Sequence, residues 1–282
     1  MKREIIPGVD IWNYPGGEVG VRINSSYIPT QTKTFRIHNS EELMSLLMFL
    51  NCLDGSAHAF VDSVFIPYLP YARQDRVAYE GDPVATEVVA KLLANTSVKV
   101  IQTLDVHSPS YIAAFKNYGI TLISHSPVRF INDFIFRLNL SHWQMTKEDI
   151  VLISPDKGAT EKTKQYAQEL GTTSIIQCAK VRDPDTGKLT GFTIDPEQSN
   201  VPKDTTKTVF MIVDDICDGG GTFNGIIDVV KKEYPGKFYA LWTTHGIYSN
   251  KLDKLMENFN VVGSTNSFLH KQEHDRLITI NL

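Results

Sequence analysis

The stretch "VFMIVDDICDGGGTFNGIIDVV" (residues 209–230) reads as a strand, a turn and a helix in succession. Its apolar run ends in Asp214 and Asp215, a third carboxylate follows at Asp218, and Gly219, Gly220, Gly221 and Thr222 lead into an amphipathic segment. Such a strand delivers its last side chains to the carboxyl edge of a sheet, where ligands bind in open α/β folds. The glycines then offer backbone N–H groups to an anion. Carboxylates beside an anion site are a contradiction unless different parts of one ligand meet them. No lysine follows the glycines and no G-x-G-x-x-G is present, so the turn is neither a nucleotide P-loop nor a dinucleotide turn. A sugar phosphate resolves the conflict: its phosphate takes the amides of 218–222 and the Thr222 hydroxyl, and its hydroxyls donate to the aspartates.

Outward from this stretch, strand-like runs alternate with helical patterns nearly from end to end. That order predicts an α/β fold with largely parallel sheets. "SVFIPY" (63–68) and "VKVIQTLDV" (98–106) read as strands on either side of a helix in "DPVATEVVAKLLANT", with Asp82 as N-cap and Pro83 at its first position. "DIVLIS" (149–154), a helix over 159–170, "TSIIQCAK" and "KFYALWTTH" (237–245) repeat the alternation. Two α/β units are expected, 1–126 and 127–282. The Pro-, Gly-, Asp- and Lys-rich segment at about 179–207, with only a short hairpin-like "KLTGFTI" inside it, reads as a mobile flap over a site.

The 282 residues are 42% hydrophobic and 21% charged, with a formal net charge of -4. This is the composition of a globular protein, and it argues against nucleic acid or an anionic membrane as the main partner. The N-terminal "MKREIIPGVDIW" lacks the apolar core of a secretory signal, and "LMSLLMFL" (43–50) is too short to span a bilayer. A cytoplasmic protein is expected. Cys52, Cys178 and Cys217 suggest neither a disulfide frame nor a zinc site.

Two acids after an apolar strand, a third acid and a small-residue turn ending in Thr resemble the phosphoribosyl diphosphate-binding motif of type I phosphoribosyltransferases and ribose-phosphate pyrophosphokinases. Further motifs choose between these. "FIPYLPYARQDRV" (65–77) resembles the ATP-binding segment of the pyrophosphokinases, and Arg73, Gln74, Asp75 and Arg76 follow its pattern. "TLDVHSPS" (103–110) is similar to the family's acid-x-His element, which makes His107 an implied ligand of magnesium beside ATP. "LISPDKGATEK" (152–162) supplies Asp156, similar to a second metal-linked acid. "CAKVRD" (178–183) places Lys180 and Arg182 where the family closes two cations over the transferring phosphates. "NYPGGEVGVRIN" (13–24) resembles the segment that reaches the adenine of a neighbouring subunit, with Glu18 matching, although Gly16 stands where family members carry an Asp.

The resemblance implies two phosphoribosyltransferase-like domains. The first, 1–126, would bind ATP through Glu18, Arg73, Gln74, Asp75, Arg76 and His107. The second, 127–282, would bind ribose 5-phosphate through Asp214, Asp215, Asp218, Gly219, Gly220, Gly221 and Thr222, with Lys180 and Arg182 catalytic and Mg2+ held near His107 and Asp156. It also implies a homo-oligomer, dimer or higher. The reaction implied is transfer of the diphosphoryl group of ATP to ribose 5-phosphate, giving 5-phosphoribosyl 1-diphosphate and AMP. The alternatives are a phosphoribosyltransferase, which consumes that diphosphate, and a non-catalytic regulatory subunit.

Overall fold

A computed structural model describes residues 3–27, 30–55, 61–140, 146–184, 186, 188–202, 208–235, 238–250, 252–268 and 273–282. The chain divides into two compact units, Met1–Ser126 and Pro127–Leu282.

In the first unit β1 (Arg3–Ile6), β2 (Val9–Asn13) and β3 (Val19–Ile23) form an antiparallel sheet. There follow β4 (Thr30–Thr34), α1 (Ser40–Asp54), β5 (Val61–Phe65), α2 (Ala85–Ala94), β6 (Val100–Leu104), α3 (Pro109–Asn117) and β7 (Thr121–His125). These four strands pair in parallel in sequential order. Helix α1 starts where it does because Asn39 accepts the Glu42 amide at 2.9 Å while the Glu42 carboxylate takes the His38 amide at 2.7 Å. Two orphan donors are satisfied by this exchange. The expected Asp82 cap on α2 does not form. Asp82 instead accepts the Tyr79 amide at 2.9 Å, closing a turn, and the helix begins later with Val84 at its cap and no side-chain bond.

The second unit contains α4 (Val128–Leu140), β8 (Ile150–Ser154), α5 (Thr160–Leu170), β9 (Ser174–Arg182), β10 (Leu189–Asn200) and β11 (Val209–Cys217). It continues with α6 (Gly221–Glu233), β12 (Phe238–Gly246), α7 (Asp253–Met256), β13 (Val261–Thr265) and β14 (Leu277–Ile280). Seven strands form one sheet in the order β10-β9-β8-β11-β12-β13-β14, parallel except for the β10–β9 pair. Strand β8 is buried throughout and β11 nearly so, as expected of strands covered on both faces. Around them Val151, Ile153, Phe210, Ile212, Ile226, Ile227, Val230 and Leu241 make the core.

The segment read as a flap carries a β-hairpin longer than "KLTGFTI" alone suggests. Strand β10 runs twelve residues against β9, pairing Leu189 with Arg182, Phe192 with Lys180 and Ile194 with Cys178. Its tip is closed by Asp183, whose carboxylate accepts both the amide and the hydroxyl of Thr186. Residues 203–207, at the end of the expected flap, lie outside the described residues. Cys52, Cys178 and Cys217 are free thiols, and among the described residues no helix is long and apolar enough to cross a membrane.

Candidate functional site

In the second unit the chain winds from β8 through α5 to β9 on one side, and from β11 through α6 to β12 on the other. The strand order therefore reverses between β8 and β11, and ligands of open α/β sheets bind beyond the carboxyl ends of strands at such a point. Asp156 follows β8, and Asp214 and Asp215 lie in the last part of β11, two residues before its end at Cys217, so both motifs stand at the reversal.

Asp215 is buried and Asp214 is half-buried, its Oδ1 accepting the Asp215 amide at 2.9 Å. Burial, then the Asp215 charge, push the Asp214 carboxyl well above the usual carboxylate range, against the opposing charge of Lys162. Two crowded carboxyls of this kind share a proton readily and gain when hydroxyl donors arrive.

Beyond Cys217 the backbone turns through Gly220 at φ 77° into α6, whose first turn has no side-chain cap. Its leading N–H groups are left to whatever anion is present, and the helix dipole favours one there. Gly220 is left-handed, and close side chains stand over both it and Gly219. A Cβ on Gly220 would stand 2.8 Å from Leu255 Cδ2, and one on Gly219 would stand 2.7 Å from Asn250 Nδ2. The turn is also tied to the segment after β12. Ile247 and Tyr248 donate their amides to the Cys217 carbonyl at 2.8 and 3.2 Å, Ser249 N donates to Asp218 O at 3.2 Å, and Asn250 Nδ2 donates to Gly219 O at 3.1 Å. Sequence reading missed this arm. Its only trace was the small polar "HGIYSN" at the end of a strand.

Asp156 Oδ1 accepts the amides of Gly158 and Ala159 at 3.0 and 3.1 Å, and Oδ2 meets Lys180 Nζ at 2.7 Å. Burial alone would raise this carboxyl. The Lys180 hydrogen bond and charge, with the two amides, outweigh burial and hold it below its usual value. Lys180 and Arg182 alternate along β9 and so share one face of the hairpin.

In the first unit the segment after β5 and the segment after β6 are bound together. Pro67 O accepts the Leu104 amide and the Thr103 hydroxyl, and Tyr111 donates its buried hydroxyl to Pro70 O at 2.7 Å. Asp75 accepts from Ser110 Oγ at 3.2 Å, and Arg76 Nε stands 3.9 Å from it. Burial would raise Asp75, yet hydrogen bonds from Ser108 and Ser110 and the charges of Arg76 and His107 hold it below the usual range. Asp75, Arg76 and His107 are thus one cluster, with Arg73 and Gln74 exposed on the same loop. Tyr71 and Asp105, which bracket it, have φ of 61° and 49°. Left-handed backbone at bulky or buried non-glycine residues is uncommon and concentrates at ligand sites. Glu18 stands elsewhere, at the exposed tip of the β2–β3 hairpin, where Tyr14 N donates to Glu18 O at 2.8 Å.

Among the described residues no group of three or more His, Cys, Asp and Glu side chains forms a metal cage. Asp156 retains a lone pair on Oδ2 beyond its bond to Lys180. One such donor fits a magnesium ion that arrives on phosphates and keeps its waters, since Mg2+ is usually held by one or two carboxylates plus substrate oxygens.

Comparison with known proteins supplies the context. A model described as the N-terminal domain of ribose phosphate pyrophosphokinase matches residues 9–96, and one described as the phosphoribosyl transferase domain matches residues 126–275. The ribose-phosphate pyrophosphokinase of Thermotoga maritima is 26% identical over 286 residues, covering 97% of this chain and 82% of the relative. That of Pyrococcus furiosus is 27% identical over 266 residues, covering 93% and 86%. The crystal structure of phosphoribosylpyrophosphate synthetase from Mycobacterium smegmatis has the same fold, with a TM-score of 0.77 at 20% identity over 98% of this chain and 86% of that one.

Proposed function

Because this chain belongs to the ribose-phosphate pyrophosphokinase family of enzymes, we propose that it transfers the diphosphoryl group of ATP to the anomeric hydroxyl of ribose 5-phosphate, giving 5-phosphoribosyl 1-diphosphate and AMP. Two observations carry this reading: for the sugar, two carboxylates late in β11 beside a glycine turn on an uncapped helix, and for ATP, the tie between Asp75, Arg76 and Ser110 in the first unit. Few ligands need hydroxyl acceptors and phosphate donors side by side as a pentose phosphate does.

Asp214 and Asp215 orient the ribose hydroxyls, and the Asp218–Thr222 turn takes the 5-phosphate through its amides and the Thr222 hydroxyl. Arg73, Gln74, Asp75, Arg76 and His107 hold ATP, and Glu18 reaches the adenine of a neighbouring subunit in a homo-oligomer. Lys180, resting on Asp156 at 2.7 Å without phosphate, turns with Arg182 toward the transferring phosphates, where charge develops as the bond to the alpha phosphate breaks. His107 in the first unit and Asp156 in the second are the residues that would each offer a donor to magnesium, which when bound would supply charge neutralisation on the polyphosphate. The residues otherwise act by positioning and electrostatics, which carry most of phosphoryl-transfer catalysis.

The test is AMP formation from ATP on addition of ribose 5-phosphate. A phosphoribosyltransferase would consume 5-phosphoribosyl 1-diphosphate without releasing AMP from ATP, and a regulatory subunit would form no AMP. Either result removes the proposal.

A further inference from the structure

The phosphate turn is held from behind by an arm that no motif reading assigns. After β12 the chain reaches Tyr248, whose backbone is left-handed at φ 49° and whose ring is buried under Gly246, where a Cβ would meet it at 2.3 Å. With that ring seated, the two following residues lie along the turn. Ser249 N donates to Asp218 O at 3.2 Å and Asn250 Nδ2 donates to Gly219 O at 3.1 Å.

These two bonds fix more than two carbonyls. In a trans peptide the C=O and the next N–H point in opposite directions, and no cis peptide occurs among the described residues. Drawing the carbonyls of Asp218 and Gly219 toward the arm therefore turns the N–H groups of Gly219 and Gly220 away from it, a nest of successive amides suited to an anion. The absence of a side chain at Gly219 leaves room for this contact, since a Cβ there would stand 2.7 Å from Asn250 Nδ2.

We infer that Asn250 is a positioning residue for sugar-phosphate binding. It acts through the Gly219 peptide, not by touching the ligand, and it sets the affinity of the turn for the 5-phosphate. This inference rests on the ribose 5-phosphate reading of the turn, so its test separates the two. Asn250→Ala removes the donor. Asn250→Asp keeps the shape and replaces the donor by an acceptor facing the Gly219 carbonyl.

In the full chain, KM for ribose 5-phosphate rises about three- to tenfold in Asn250→Ala, the loss of one ordinary hydrogen bond, and further in Asn250→Asp. KM for ATP and kcat stay within about twofold, the pattern of a lost binding interaction, and Tm is unchanged. In parallel, inorganic phosphate is titrated against the amide resonances of Gly219 and Gly220. They move in the wild type and need more phosphate in Asn250→Ala. An Asn250→Ala variant with unchanged KM overturns the inference, even if Asn250→Asp is weakened, because charge alone would then account for the effect. A fall in Tm together with a rise in both KM values also overturns it, as general loss of structure. If the wild type ignores ribose 5-phosphate while phosphate still shifts these amides in an Asn250-dependent way, the proposed function fails and with it the sugar-phosphate part of this inference, leaving Asn250 as a positioning residue for an anion at the turn. If phosphate leaves the amides unmoved in the wild type, both fail.

Discussion

The glycine turn after β11 and the hairpin that carries Lys180 stand in one sheet with β8 between them, yet they hold their shapes by different means. The turn is a backbone device. Its conformation follows from Gly220 at φ 77°, from carbonyls tied to the arm at 247–250, and from a helix whose first amides are left open. The hairpin is a side-chain device. Phe192, opposite Lys180 in the ladder, packs onto α6 at Gly225, where a Cβ would stand 2.3 Å from its ring. A backbone device leaves its mark in the sequence as glycines and acids at fixed spacing, whereas a side-chain device needs a partner far along the chain and leaves none.

The largest effect expected from this contrast is at Lys180. If the hairpin only presents a cation, Lys180→Ala lowers turnover by two to three orders of magnitude, since removing one preorganised group from a transition-state clamp costs about 3–4 kcal/mol. Ribose 5-phosphate binding, governed by the turn, stays near the wild-type value by calorimetry. A variant that turned over at more than about a tenth of the wild-type rate, a cost below about 1.4 kcal/mol, would separate the hairpin from the chemistry.

Phe192→Ala comes next. The side chain is partly buried against the core, so its truncation should cost somewhat less than the about 3–5 kcal/mol of a fully buried Phe. Thermal unfolding measures that cost. Amide exchange would quicken from Cys178 to Arg182, and turnover would fall with Lys180 still present, while the turn kept its affinity. Equal loosening of both regions would show that hairpin and turn are one cooperative unit.

The same contrast explains what could be read beforehand. The alternation of elements was legible because β8 and β11 are near-continuous apolar runs, and the strand–turn–helix over 209–230 because its signals are local. Asp75, Arg76 and His107 were legible as separate motifs, and the fold brings them together. The hairpin was legible only in part: "KLTGFTI" holds Phe192 and Ile194, but the polar residues after it hid the full length of β10. The arm at 247–250 was not legible, since its hydrogen bonds reach back about thirty residues to Gly219. The pairing of Lys180 with Asp156 also escaped, since it depends on β9 lying beside β8.

The smallest expected effect concerns the acids beside the turn. Burial and the Asp215 charge raise the Asp214 carboxyl in the folded protein, so between the unfolded value and the raised one the folded state binds more protons than the unfolded state. Stability from this group is fully present in acid and is lost as pH rises through the folded value. Asp214→Asn removes that loss. The variant should unfold at a higher temperature than the wild type once pH exceeds the raised value, at roughly 2–4 °C for each 1 kcal/mol gained in a domain of this size, and at the same temperature in acid, where both side chains are neutral. It should also bind ribose 5-phosphate more weakly, since a neutral amide replaces a charged acceptor. Wild-type binding within the titration of the pair should release protons, because hydroxyl donors favour the ionised form, and calorimetry in buffers of different ionisation enthalpy reads that release directly. A stabilised variant that still binds the sugar phosphate normally would mean that the strained pair belongs to the strand alone. Stabilisation together with lost affinity and lost proton release would mean that the site holds its acids crowded for the ligand, at a cost that the glycine turn beside them does not incur.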